Sequence, residues 1–494
     1  MQNKKLFKIH LITFLFLFIL INHLLSQINP LFEILQEYAT LMGEHLYIEK
    51  LSLKEFSSNV TFINLRDEIR KSGLFVDIYK LDKPWFVKLC ELNIPFIAFL
   101  KNNTYFLVKR VQQKNNSNLL QIMIEGEQKE LTPLELFEKI KGVMLFPCGN
   151  VMFNKSFLYG DSKENLGKGK IFIIYIFHEG TDFKEIEPIL NNILEETHKE
   201  GRKLIYLEEL GLIPFESVEA QRNSLNLSDQ TAFDKVKETL RQETAAIEEG
   251  IPVYDESIFY SALYKYLAKN KIKSILEDLK YDNWKSIVTF DSYGLVNEAL
   301  SKFLMGGIDN AIVTMKSYLK GFMLNNHKIR DINFSNQIKE LLQKNPNSVI
   351  LTIRGLAHYG FEDNLASTGV DVNIYIVGEG PINKLIPAQH YTMVLKQNDV
   401  YLPEDKYNEL TAKSLVEFVL LDYYMIDLGY TNYPTAVRMV NTLLEKISFE
   451  DIKLLCDELF MRLFRREIDS TTYKKFVFDW LRNRQVENIK PTEK

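Results

Sequence analysis

"SVILTIRGLAHYGFEDNLASTGVDVNIYIV", residues 348–377, holds two continuous apolar runs separated by a turn and a short helical stretch. A strand with one wet face alternates apolar and polar residues. Continuous runs therefore mark strands buried on both faces, and a helix between them implies a parallel crossover. Polar chemistry enters only where the first run ends, where Gly355 would let the backbone turn tightly enough for His358 to face the strand ends and Arg354 would be a rim residue. That place matters because ligands of open parallel sheets bind outside the carboxyl ends of the strands, where loops converge.

The same grammar continues upstream. "KIFIIYIF" (170–177) and "RKLIYL" (202–207) are further continuous apolar runs, and "TDFKEIEPILNNILEETHKEG" (181–201) between them is a helix with Thr181 or Asp182 as its cap. A long helical stretch, about 211–325, intervenes before "INFSNQIKELLQKN" leads back into the sheet. The expectation is one α/β domain at 165–385, its sheet mainly parallel, interrupted by a helical insertion. Residues 386–494 read as a helical C-terminal region. Its segment "EFVLLDYYMIDL" is broken by Glu417, Asp422 and Asp427, so it reads as a packed helix rather than a membrane-facing one.

Residues 27–152 follow a different pattern, α+β. Helices "PLFEILQEYATLMG", "NLRDEIRKSG" and "KPWFVKLCELN" precede short strands "IPFIAFL", "TYFLVKRV" and "LLQIMIEG", then a helix "TPLELFEKI" and a strand "VMLFP". Asn-rich turns between the strands indicate antiparallel hairpins. "FNKSFLYGDSKENLGKGK" (153–170) reads as a linker.

This element order resembles the papain-like, bacteriocin-processing cysteine peptidases. The resemblance implies a papain-like fold and places the catalytic positions of that family on residues that cannot perform thiol chemistry. Ile28-Asn29-Pro30 stands for Cys-Gly-Pro, Thr104-Tyr105 for the His position and Glu125-Gly126 for Asp-Pro. A thiolate mechanism needs a cysteine beside a base. The expected role is thus a peptidase-like module without catalysis, binding a peptide or serving structure.

Bulk properties narrow the function. The chain has 494 residues, 46% hydrophobic and 25% charged, with a formal charge of -5, which excludes a disordered chain and gives no basic footprint for nucleic acid. "MQNKKLFKIHLITFLFLFILINHLLSQINP" combines Lys4, Lys5 and Lys8 with an apolar core and the small residue Ser26. It reads as a signal peptide over 1–26, favoured over an uncleaved anchor, so the expected location is periplasmic or extracellular, with membrane attachment only through an uncleaved leader. Cys90, Cys148 and Cys456 have no metal-ligand spacing. Cys90 and Cys148 could pair after export, although buried free thiols fit better. Oligomeric state is not legible.

Three strand ends carry the candidate site: Phe177-His178-Glu179-Gly180, Leu207-Glu208-Glu209 and Arg354 to His358. Of eight histidines two lie in the leader, and two of the other six sit at these equivalent strand ends. Two imidazoles and a carboxylate suit Zn²⁺, Mn²⁺ or Fe²⁺ with an open position for water. "NNHKIRDINFSNQIKELL" adds Arg330 and Asp331 at a helix start, where Arg330 could hold a carboxylate or developing oxyanion, with His327 as a poorer alternative.

The ordered set "FHEGTD", "LIYLEE", "RDINFSNQIKELL", "RGLAH" and "NLASTGVDV" resembles the superfamily of erythromycin esterases, ChaN-like haem-binding proteins and TraB/Tiki proteins. The resemblance implies a metal-dependent hydrolase of peptide or ester bonds. His178 and His358 would be metal ligands, Glu208 a ligand or general base, Arg330 an electrophile and Glu179 a reserve. It departs from the family where Tyr175 replaces the Gly three residues before His178. The alternative it leaves open is a non-catalytic envelope protein binding a peptide, haem or a protein partner.

Overall fold

A computed structural model describes residues 30–47, 50–51, 61–101, 104–114, 117–124, 127–155, 169–177, 181–209, 215–248, 258–288, 292–322, 328–429 and 433–489. The leader, His178, Glu179 and His327 lie outside them. The protein is mixed α/β, with two six-stranded sheets and C-terminal helices, and divides into two compact units between Pro147 and Cys148.

In the first unit, helices α1 (Pro30–Met42), α2 (Phe62–Lys71), α3 (Lys83–Glu91) and α4 (Pro133–Phe137) accompany strands β1 (Asp77–Tyr79), β2 (Phe96–Leu100), β3 (Tyr105–Lys114), β4 (Ser117–Ile124), β5 (Glu127–Leu131) and β6 (Ile140–Leu145). The sheet order is β1-β6-β2-β3-β4-β5 and every pair is antiparallel, as the hairpin pattern predicts. The first helix is amphipathic and buries Leu31, Phe32, Leu35 and Tyr38, and the Phe146 N–H donates to the Tyr38 hydroxyl at 2.6 Å. Arg66 and Arg70 neutralise the fully buried Asp77 at 3.4 and 3.1 Å, so this buried carboxylate is paired.

The second unit is built on β7 (Met152–Asn154), β8 (Lys170–Ile176), β9 (Lys203–Glu208), β10 (Lys273–Leu276), β11 (Ser348–Gly355) and β12 (Asp371–Ile376), in the order β10-β9-β11-β8-β12-β7. All neighbours are parallel except β7, which runs antiparallel to β12. Residue 152, assigned above to the first domain, and residues 153–154, read above as linker, belong to this sheet because Met152, Phe153 and Asn154 pair with Tyr375, Ile374 and Asn373. All seven residues of β8 and all eight of β11 are buried, which is what continuous apolar runs predict. Each such Ile, Leu or Phe contributes about 1.5–3 kcal/mol, and Ile173→Ala at the sheet centre would cost about 2–5 kcal/mol.

Helices α5 (Phe183–Lys199), α6 (Phe215–Leu225), α7 (Asp229–Glu248), α8 (Ile258–Lys269), α9 (Tyr281–Val288), α10 (Ser292–Leu304), α11 (Ile308–Phe322) and α12 (Ile329–Lys344) precede β11. Asp182 caps α5 through a reciprocal pair with Glu185. The stretch 211–325 is not purely helical: β10 lies inside it and extends the sheet edge parallel to β9. A short α13 (Asp363–Ala366) precedes β12, and α14 (Ile382–Leu385), α15 (Ala388–Gln397), α16 (Glu404–Asp422), α17 (Tyr433–Leu444), α18 (Phe449–Phe464) and α19 (Tyr473–Ile489) follow it. The C-terminal helices share one core with α10 and α11, where Phe303, Met315, Leu415, Leu420, Val440 and Leu455 meet. "EFVLLDYYMIDL" is accordingly a packed helix, and no helix among the described residues is long and apolar enough to cross a membrane.

Candidate functional site

The parallel register brings four strand ends side by side. Leu276 of β10 pairs with Glu208 of β9, Leu351 of β11 with Tyr206, and Gly355 with Ile176 of β8. The ladder between β9 and β10 continues one step further, with the Glu277 N–H donating to the Glu208 carbonyl at 3.0 Å. Residues just past these strands and the first turn of α12 therefore meet at one edge of the sheet. The groups that converge there are Glu209, Glu277, Arg330, Asp331, Arg354 and His358.

His358 is held from both sides. Its Nδ1 lies 2.7 Å from Asp331 Oδ1 and its Nε2 lies 3.3 Å from Glu209 Oε1. A carboxylate only accepts, so the short contact fixes the hydrogen on Nδ1 and leaves Nε2 as the nitrogen that can exchange a proton. Asp331 is itself anchored: Arg354 Nη2 donates to Oδ1 at 3.0 Å and Gln397 Nε2 to Oδ2 at 3.2 Å. Burial drives the imidazole toward neutrality, but the Asp331 and Glu209 carboxylates outweigh it, even against Arg354, and hold the His358 pKa above its usual value.

Arg330 reaches two strand ends, with Nη2 3.1 Å from Glu209 Oε1 and 3.3 Å from Glu277 Oε2. Burial opposes its charge, and Glu277 and Glu209 more than restore it. Arg354 lies deeper, with its guanidinium 4.0 Å over the Phe334 ring and 5.2 Å over Phe361. It stands 4.0 Å from both Glu209 and Glu277, and among the described residues its Nε and Nη1 find no hydrogen-bond acceptor. Side-chain exposure grades the cluster: 0% for Arg354 and Glu277, 5% for Asp331, 7% for His358 and 9% for Glu209 and Arg330. The last three form the mouth and the first two the floor.

Beneath lies a second buried network. Lys155 Nζ donates to Glu362 Oε1 at 2.7 Å and Asp363 Oδ1 at 2.9 Å, and the Tyr175 hydroxyl donates to Glu362 Oε2. Tyr175, which stands where the resembled superfamily has Gly, thus ties β8 to the loop after His358. Burial and the Glu362 charge push its hydroxyl well above the usual tyrosine range, so it stays neutral. In that loop Gly360 has φ +110, and a Cβ there would meet the Asn398 amide at 2.5 Å, so the position needs glycine.

Of the residues singled out from sequence, Arg330 and His358 enter the cluster. His178 and its reserve Glu179 lie outside the described residues, as does His327. Glu208 accepts from the Tyr264 hydroxyl, and its neighbour Glu209 faces Arg330 and His358, as alternation of side chains at a strand end requires. Arg354, expected at the rim, is fully buried. Gly355 was expected to give a tight turn, but its φ is -58 and ψ 136, a conformation any residue adopts. The structure adds Glu277, whose sequence signal was the short run "KIKSIL" ahead of it.

A divalent cation fits this donor set poorly. Both His358 nitrogens already face carboxylates, and Arg354 Nη2 is 3.3 Å from Nδ1. The three carboxylates face Arg330, Arg354 and His358, so a dication would enter against two guanidinium groups. Among the described residues no group of three or more His, Cys, Asp or Glu side chains is arranged to hold a metal ion. All three cysteines are free and buried. Burial pushes the Cys90 thiol up to about 12, so the one cysteine of the first unit is not a thiolate.

No protein-family profile matches the chain, and neither the curated proteins nor the solved structures include a significant match to it.

Proposed function

We propose that the second unit is a hydrolase of ester or peptide bonds, with His358 and Glu209 as its proton-transfer pair and Arg330 as its electrophile. The observation that supports this most is a single imidazole oriented at Nδ1 by a buried carboxylate and offered through Nε2 to a second carboxylate, beside two guanidinium groups. In the proposed reaction Glu209 takes a proton from a water whose oxygen attacks the carbonyl carbon. Arg330 stabilises the oxyanion, the carbon–oxygen or carbon–nitrogen bond breaks, and the leaving group takes the Nε2 proton of His358. Transfer of the Glu209 proton across the 3.3 Å contact restores the starting state. Asp331 and Arg354 touch no reacting atom in this scheme and hold the ring in place.

The scheme shares with the resembled erythromycin esterase, ChaN-like and TraB/Tiki superfamily the hydrolysis of ester or peptide bonds but not its metal dependence, and it includes export through the leader. For the first unit we propose a papain-like, non-catalytic module that binds a peptide or serves structure.

The test is turnover of p-nitrophenyl esters and of a fluorogenic peptide set by the full chain, beside His358→Gln and Glu209→Gln. Loss of about 100-fold or more in both variants is expected from removal of a general acid or base. Equal rates in wild type and variants would sink the proposal. The metal-dependent form, through His178, Glu208 and His358, predicts stoichiometric Mn, Zn or Fe in purified protein and loss of activity on chelation, whereas the acid–base form survives chelation.

One observation favours the second reading, an envelope protein binding a peptide, haem or a protein partner: every carboxylate of the cluster already has a cationic partner, as in a structural ion network. A Soret band on haem titration, or saturable peptide binding without turnover, would favour it.

A further inference from the structure

A cavity of about 360 Å³ opens between α11, α15 and α16, at the small end of the range for ligand sites. Lys316 and Lys320 reach it from α11, Lys396 from α15 and Tyr407 from α16, with Leu319 and Met393 as apolar wall. Three cationic chains thus share one small space with two buried apolar residues.

Two of the ammonium groups converge on one ring: Lys316 Nζ and Lys396 Nζ lie 4.3 and 4.4 Å from the Tyr407 centroid. A single cation satisfies a ring face. A second cation adds repulsion that the ring does not remove. Lys316 has a carboxylate partner in Glu404, whose side chain is 79% exposed. Among the described residues Lys396 has none, and burial, opposed by Glu404 and aided by Lys316, draws its pKa down. Lys320 and Lys396 lie in the last turns of their helices, where the helix dipole favours cations. That accounts for lysine at each place but not for their meeting around an apolar pocket.

We propose that this cavity binds a small organic anion, with a phosphate or carboxylate head on Lys316, Lys320 and Lys396 and an apolar body against Leu319, Met393 and Tyr407. An anion supplies the counter-charge that Lys396 lacks, and its body fills space that water occupies poorly. The site lies on the face of α15 that carries Met393 and Lys396, and it does not depend on the hydrolytic reading of the strand-end cluster.

Calorimetry of the full chain at low salt, with phenyl phosphate, benzoate and inorganic phosphate as probes, tests it. Phenyl phosphate or benzoate should bind saturably and more tightly than inorganic phosphate, and whichever organic probe is tighter names the head group. Lys396→Met, which keeps the stem on Tyr407, should weaken binding about tenfold, the loss of one charge-assisted contact, while Lys396→Arg should retain it. The bound probe should also shield Lys396 of the wild type from acetylation, read by peptide mass mapping, so the proposal stays testable if the methionine variant folds poorly. Absence of saturable binding up to about 10 mM, a concentration already weak for any specific site, would overturn it. So would binding that Lys396→Met leaves unchanged but Arg330→Met abolishes.

Discussion

Replacing Arg354 by methionine keeps an unbranched chain between Phe334 and Phe361 but deletes the deepest positive charge of the cluster. In the wild type Glu209, Glu277 and Asp331 face Arg330, Arg354 and His358. The Arg354 guanidinium lies 3.0 Å from Asp331 and 4.0 Å from Glu209 and Glu277. At an effective dielectric near 20 each such contact is worth roughly 4–6 kcal/mol before costs. Desolvation of a fully buried guanidinium and repulsion from Arg330 consume most of that sum. The net penalty for leaving one buried carboxylate unbalanced is about 3–5 kcal/mol. Arg354→Met should lose that amount, read from the unfolding transition of the second unit by calorimetry and denaturant titration. The double variant Arg354→Met/Asp331→Asn removes one charge of each sign and should recover at least about 1 kcal/mol relative to the sum of the two singles. A cost below about 1 kcal/mol for Arg354→Met, or strict additivity in the double variant, would refute the claim that charge balance holds this edge of the sheet together.

The His358 pKa, held above 6.5 by Asp331 and Glu209, contributes stability that is fully present below pH 6.5 and fades as pH rises through the folded-state value. Asp331→Asn should bring that titration down, read from the imidazole proton shifts, and flatten this part of the stability profile. Glu417, pushed up to about 8 by burial against the pull of the Ala388 and Gln389 N–H groups, is a carboxyl whose folded-state pKa exceeds its usual 4.5. Its contribution is therefore full below pH 4.5 and lost as pH climbs through 8. Glu417→Gln should be more stable than wild type above pH 8 and lack the loss, by thermal melts across pH. Gly360→Ala should destabilise by about 1–3 kcal/mol, because φ is +110 and Asn398 fills the space; an unchanged melting temperature would contradict the strain.

Much of the second unit was legible before any coordinate. β8, β9 and β11 fall on continuous apolar runs because strands buried on both faces have no polar side to show, whereas β12 carries the half-buried Asp371 and Asn373 before its apolar end. β10 was not legible: it is four residues long, begins on the exposed Lys273 and sits at the sheet edge among helices, so burial imposes almost no pattern on it. Glu277 was missed with it. The choice between Glu208 and Glu209 turned on a single step of strand alternation, which reverses the face a side chain takes. Arg354 reads as a rim residue because a lone arginine ending an apolar run has no visible partner. Its partners come from the ends of β9 and β10 and the first turn of α12, far away along the chain.

The sequence by itself determined that a parallel sheet would form and that His358 and Arg330 would lie near its carboxyl edge, since apolar periodicity and helix punctuation are local properties. Tertiary structure decided which acids meet them. Charge balance in a buried site depends on distances between elements, and no local pattern encodes that Glu209, Glu277 and Asp331 converge on two arginines and one imidazole. Arg354 is the buried counter-charge on which that convergence rests.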